Sequence, residues 1–288
     1  MSGAAGGTGA GEGPGAKSAS GAKSASGAKN ANGAKSGSGA KSASGGKNAS
    51  SSAADVPSVW GPRWSRWLGR GLARGLWATT VRGKNNVPKT GAAIVVANHL
   101  GYIDGPVIHG VIPRGSHFLV SAHMFGGPIG RLLTWSHQIK VEGAGRNALS
   151  QGLAVLRRGG VVGVFPEGTR GAGSADSVHG GAAWLALQSG APIVPTALIG
   201  TRNTGESVNV WPRPRRRILV EFGDPVVLQA PPEMKGRAKQ TWAEHKVATM
   251  LRHHLAAVLA TTDLELPTDK PVRSPSTGSG GSEPKENA

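Results

Sequence analysis

His99 and Asp104 stand five residues apart in the segment Asn98-His99-Leu100-Gly101-Tyr102-Ile103-Asp104. A histidine that takes a proton from a hydroxyl needs its other ring nitrogen held by an acceptor. A carboxylate five residues on, across a turn or a first helical turn, can reach that nitrogen and stabilise the imidazolium. No Ser or Cys nucleophile is implied if the attacking hydroxyl belongs to the substrate. Alone, such a pair is structural more often than catalytic. The second segment is Phe165-Pro166-Glu167-Gly168-Thr169-Arg170. Gly168 permits close backbone approach, Arg170 can fork onto a phosphate, and Glu167 can bind a hydroxyl or fix that arginine. In isolation this segment reads equally as a strand-ending turn with a surface ion pair.

The elements that must position these residues are short and apolar. Ala92–Ala97 is a buried strand stopping at Asn98-His99, and Val161–Phe165 is another, ending in Pro166-Glu167-Gly168. Between them, Asn147–Arg158 carries Leu149, Leu153 and Leu156 on one helical face, with Gly159-Gly160 as its stop. Ala182–Gln188 reads as a helix, Ile193–Ile199 and Ile218–Phe222 as strands, and Trp242 to Leu259 as a final amphipathic helix. Alternating buried strands and helices predict an α/β domain with a mainly parallel sheet and helices on both faces. Chemistry in such sheets gathers at the carboxyl ends of strands, where both segments fall.

Ahead of this domain, Trp60, Trp64, Trp67 and Trp77 are threaded with Arg63, Arg66, Arg70 and Arg74. At helical spacing Trp60, Trp64 and Trp67 share one arc, the arginines lie on the next, and Leu68, Leu72 and Leu76 flank the other side. A basic amphipathic helix with Trp at its seam suits a lipid headgroup interface. The competing reading is a surface helix whose Trp residues pack on the domain, and Gly69, Gly71 and Gly75 weaken the helix itself.

Composition narrows the chemistry further. The 288 residues include no Cys, which excludes disulfides, a thiolate nucleophile and thiolate zinc sites. His109, His117, His123, His137 and His253-His254 show no metal-ligand spacing, so no metal is expected. The formal net charge is +17, of which +5 falls in Met1–Ala54 (six Lys against Glu12) and +12 elsewhere. Those six lysines recur every sixth residue in a Gly/Ala/Ser repeat that offers nothing large and apolar to bury. The repeat is therefore expected to be a disordered tail. The expected organisation is a tail over 1–54, a membrane-contacting helix region over 55–82, a catalytic domain over 83–265 and a second disordered tail over 266–288. The N-terminus lacks the apolar run of a secretory signal, and Ser177–Thr201, the longest stretch without charge, is broken by Gly190, Pro192 and Pro195. A cytoplasmic chain, peripheral at the inner face of the cell membrane, is the expected location.

Asn98-His99 through Asp104, then F-P-E-G-T-R about sixty residues later, then V-P-T-A-L-I-G at Val194–Gly200, resemble the 1-acyl-glycerol-3-phosphate acyltransferase family. The resemblance covers roughly Val87 to Pro225. It implies that His99 is the general base activating a lysophospholipid hydroxyl for attack on an acyl thioester, with Asp104 orienting His99. It implies further that Glu167, Gly168, Thr169 and Arg170 hold the glycerol-phosphate headgroup with Asn98 beside them. Pro195 would shape the acyl-binding side. Transfer would be direct, without an acyl-enzyme and without a cofactor; acyl-coenzyme A or acyl carrier protein would be the co-substrate. Three positions depart from the family pattern. Gly101 stands where Ser is common, and His179 stands near the place of a common Lys. Gly143, after Ile139-Lys140-Val141-Glu142, occupies the place of the phosphate-binding Arg. Arg131, Lys140 or Arg146 would have to supply that charge, and an acceptor with another headgroup stays open.

The expected partners are thus an acyl thioester, a lysophospholipid and an anionic membrane surface. A nucleic-acid binder with a degenerate α/β scaffold is the rival that the charge suggests. The lysine repeat carries no aromatic stacking platform, however, and binds any polyanion through salt-dependent charge. Arg213, Arg215, Arg216 and Arg217 form a last basic cluster, read either as a solvated edge or as a dock for anionic lipid or the acidic acyl donor.

Overall fold

The computed structural model describes residues 56–168, 170, 172–175 and 180–269. Thr169, His179, the 1–54 tail and the tail beyond 269 lie outside the described residues. A seven-stranded sheet runs in the order β1-β7-β6-β2-β5-β3-β4. Its strands are β1 (Ala78–Arg82), β2 (Ala93–Ala97), β3 (Ser116–Ser121), β4 (Ile139–Val141), β5 (Val161–Val164), β6 (Ile193–Ile199) and β7 (Arg217–Phe222). From β6 through β2, β5 and β3 to β4 every pairing is parallel. β7 runs antiparallel to β6, and β1 pairs parallel to β7. The expected α/β architecture is what the chain adopts.

Both faces of the sheet are covered. Helices α1 (Trp60–Gly71) and α2 (Asp104–Val111) lie on one face, where Val107, Ile108 and Val111 bury against Ala93, Val95 and Leu198. On the other, α4 (Arg146–Arg157), α5 (Gly181–Ser189) and α6 (Gly236–Leu259) cover Ile94, Val96, Val162 and Ile193. The short α3 (Gly127–Trp135) connects β3 to β4. Because β2, β5 and β6 are buried on both faces, they read as unbroken apolar runs, and this is why they stood out in the sequence.

Two boundaries move. Residues 78–82, grouped above with the membrane-contacting helix, form the edge strand β1, so the domain begins there rather than at 83. Its Thr-rich, alternately exposed sequence carries no apolar run to mark it. Residues 266–269, grouped with the tail, lie on the domain: Leu266 packs beside Leu255 and Val258, and Asp269 meets Arg202.

α1 sits on the domain through its small residues. It turns its small residues inward: Gly61, Ser65 and Gly69 are buried, while Trp60 and Trp67 are 68% and 60% exposed. The glycines that weaken the helix are what let it approach its neighbours. A Cβ at Gly69 would stand 2.7 Å from the Pro106 carbonyl and 3.0 Å from Gly110 Cα on α2. A π-helical turn, Leu72–Leu76, then ends the element, and Trp77 leaves it to become buried, its Nε1–H donating to the Pro212 carbonyl at 3.1 Å.

Candidate active site

β2 ends because Asn98 pairs through its side chain. Its amide donates to the Leu198 carbonyl at 2.9 Å and accepts from the Leu198 N–H at 2.8 Å, continuing the β2–β6 ladder while the main chain turns away. Asn98 is wholly buried, and its side-chain amide is engaged by the Leu198 main chain. His99 emerges directly after this lock, at the carboxyl edge of the sheet.

The imidazole is held at Nδ1 and on one ring face. Its Nδ1 lies 2.8 Å from Asp104 Oδ2. The same oxygen accepts the backbone N–H groups of Leu100 at 2.6 Å and Gly101 at 2.8 Å, so the carboxylate is fixed before the histidine is added. Asp104 is 0% exposed and opens α2, where a carboxylate also suits the positive end of the helix. Phe165 stacks on the ring at a centroid distance of 4.2 Å and 16° between planes. With Nδ1 donating to Asp104, Nε2 carries the lone pair, has no protein partner among the described residues, and belongs to a side chain 17% exposed. A base pinned in one tautomer with its free nitrogen accessible can take a proton from a substrate hydroxyl.

The second segment joins the first. Phe165-Pro166-Glu167-Gly168 leaves β5 in a turn whose left-handed residue is Gly168, φ 68°. Glu167 is buried, and its Oε1 accepts the His99 backbone N–H at 3.3 Å, so part of its work is to hold the histidine's own main chain. Arg170 donates from Nη1 to Asn209 Oδ1 at 2.8 Å and from Nη2 to Met124 Sδ at 3.0 Å, and its guanidinium lies 5.2 Å from the Tyr102 ring centre. Burial lowers its pKa, against the raising effect of the Asp104 charge and of Tyr102.

Pro195 sits elsewhere. It lies in the middle of β6 opposite Val96, its ring near the space beside Gly223 and His254, on the face that α6 covers. In this position Pro195 packs between the sheet and α6, away from the His99 turn. At Gly143 the backbone takes φ 51°, a conformation in which an Arg would be strained. Of the three substitutes named for its charge, Lys140 is held by Glu142 at 2.6 Å. Sequence reasoning missed Tyr102, Met124 and Asn209. The last lies in a polar stretch, Glu206-Ser207-Val208-Asn209, with no spacing to mark it.

Fold and site together give an α/β domain with a hydrogen-bonded His99–Asp104 pair and a basic turn at adjacent strand ends. Residues 78–199 match the family model described as Acyltransferase. The chain is 29% identical over 126 residues to the 1-acyl-sn-glycerol-3-phosphate acyltransferase of Bacillus subtilis (strain 168), a match spanning 42% of this chain and 62% of the relative's length. Among solved structures it resembles the 1-acyl-sn-glycerophosphate (LPA) acyltransferase PlsC from Thermotoga maritima, with a TM-score of 0.53 at 21% identity, covering 68% of this chain and 79% of that one.

Proposed function

We propose that this chain moves a fatty acyl group from an acyl thioester to the free hydroxyl of a lysophospholipid, 1-acyl-glycerol-3-phosphate being the acceptor. The observation that carries the reading is the His99 Nδ1 to Asp104 Oδ2 contact at 2.8 Å, with Nε2 left free among the described residues. His99 Nε2 takes the hydroxyl proton as the oxygen attacks the thioester carbonyl. Asp104 stabilises the imidazolium, and the tetrahedral adduct collapses by expelling the thiolate, which takes the proton back from His99. Acyl-coenzyme A or acyl carrier protein supplies the thioester, and Arg170 meets the acceptor phosphate. The relative from Bacillus subtilis, whose name states this acceptor, supports the choice. Gly143 favours a second reading, the same chemistry on another lysolipid headgroup, because one expected phosphate-binding Arg is absent.

The proposal includes a peripheral position on an anionic membrane at its cytoplasmic face. Among the described residues no helix is long and apolar enough to cross a membrane. The outward side of α1 instead presents Trp60, Trp67 and Leu68 with Arg63, and the exposed Arg74 follows in the turn after it. The guanidinium groups of Arg66 and Arg70 lie 5.0 and 5.4 Å from the Trp67 ring centre.

Acyl transfer from labelled acyl-coenzyme A to a panel of lysolipids tests both readings. Turnover concentrated on 1-acyl-glycerol-3-phosphate supports the first, and turnover concentrated on a zwitterionic headgroup moves the acceptor to the second. His99→Ala is expected to lower kcat about 1,000-fold, the scale of a lost general base. Retained turnover in that variant would remove His99 from the mechanism.

A further inference from the structure

Residues 200–216, between β6 and β7, cross the carboxyl edge of the sheet beside the His99 turn. The Val208 carbonyl accepts the Tyr102 N–H at 3.0 Å, and the next residue, Asn209, meets Arg170 at 2.8 Å. This segment is fixed from several directions that do not involve Arg170. The buried Arg202 places Nη1 3.1 Å from both carboxylate oxygens of Asp269 and 2.9 Å from the Glu206 carbonyl. Arg216 holds the Glu206 carboxylate at 2.5 and 3.1 Å, which keeps that carboxyl below its ordinary range. Further along, Trp211 lies 5.4 Å from Trp77, and the Arg215 N–H donates to the Leu76 carbonyl at 2.7 Å.

The partners of Arg170 have one property in common. An amide oxygen, a thioether and a phenol ring orient the guanidinium, and none carries a negative charge that would cancel it. Among the described residues no carboxylate forms an ion pair with it. An arginine held by neutral partners keeps its charge and its planar fork available to an anion. The Asn209 amide does this from a loop that is already rigid.

On the headgroup reading given above, we propose that Asn209 is a positioning residue, aiming the Arg170 guanidinium at the acceptor phosphate beside His99. Asn209 is exposed, so truncating it leaves the core intact. The test is a cycle of Asn209→Ala, Arg170→Ala and the double variant in acyl transfer to 1-acyl-glycerol-3-phosphate. Asn209→Ala is expected to raise the acceptor KM about tenfold, the scale of one lost hydrogen bond to a charged group, with kcat changed less than about threefold. Placed on Arg170→Ala, the same substitution should add less than about twofold, because the two residues act as one unit. Equal losses in both backgrounds, or a loss confined to kcat, overturn the positioning role. An Arg170→Ala variant with unchanged KM, or no transfer by the wild-type chain, overturns the headgroup reading on which it rests.

Discussion

One oxygen of the Asp104 carboxylate accepts three hydrogen bonds, while the other, Oδ1, is buried with no partner among the described residues. A buried acceptor without a donor costs about 1–3 kcal/mol. Gly101 faces it: a Cβ built there would lie 3.9 Å from Oδ1, 3.6 Å from the Val208 carbonyl and 3.8 Å from Arg202 Cβ, all ordinary contacts. A serine hydroxyl at this position reaches Oδ1 without displacing a neighbour. Gly101→Ser is therefore expected to stabilise the fold by about 1 kcal/mol, and to raise the thermal midpoint a few degrees above that of Gly101→Ala. The alanine control carries the entropic part of replacing glycine, so equal midpoints would mean that no hydrogen bond forms. At this scale the sequence was most informative where the partners are neighbours along the chain. His99 and Asp104 are five residues apart, and their contact follows from one turn. Asn98 meets Leu198 and Arg170 meets Asn209 only through the order of strands in the sheet, so neither partner could be read locally.

Among the elements, the contact between α1 and α2 rests on glycine rather than on large side chains, and a buried imidazole pins it. His109 on α2 bonds Ser65 on α1 through Nε2 and Ser116 on β3 through Nδ1, each at 2.9 Å. Burial, with the His117 and Arg66 charges adding to it, pushes its pKa down to about 4. His117 on β3, between the His137 carbonyl and Arg158, is likewise pushed down by burial to about 4. Both are neutral in the folded chain at pH 7 and protonate far more readily once unfolded, near 6.5. Their contribution is complete above pH 6.5 and is lost as pH falls toward 4, roughly 3 kcal/mol for each histidine. Urea midpoints measured from pH 7.5 to 4.5 should fall steeply, and His109→Gln should flatten the curve. An unchanged slope would show that His109 does not carry this dependence. α2 itself was hidden from sequence reading because Gly105 and Pro106 interrupt its first turn, although a proline there removes an N–H that has no helical partner. β4 is three residues long, too short for its period to show. The twofold-buried strands showed clearly because burial on both faces forces an apolar run.

For the whole molecule the question is where +12 of charge outside the repeat is left uncompensated. The Arg213–Arg217 cluster divides: Arg216 is bound to Glu206 and Arg217 to Asp263, and Arg213 and Arg215 are exposed. Of the four arginines on α1 and the turn after it, none meets a carboxylate among the described residues, and burial together with the Arg70 charge lowers the pKa of Arg66. Like charges crowded beside two outward indoles are relieved by an anionic surface, and an indole that buries roughly 100 Å² there gains on the order of 2 kcal/mol. The sequence showed both arcs of this helix. It did not show which way they face, because that depends on the small-residue stripe Gly61, Ser65 and Gly69 meeting α2 and the turn after α3. Had the indoles packed on the domain, replacing them would unfold the helix and leave lipid affinity to the arginines. With the indoles outward, Trp60→Ala combined with Trp67→Ala should keep the thermal midpoint within a few degrees. The same variant should weaken partitioning onto phosphatidylglycerol-containing vesicles by at least about tenfold. The residual binding, carried by arginine, should then vanish as salt rises toward 1 M, where the screening length falls to about 3 Å. Co-sedimentation with vesicles at low and high salt separates the two contributions, and undiminished partitioning of the double variant would remove α1 from the membrane contact.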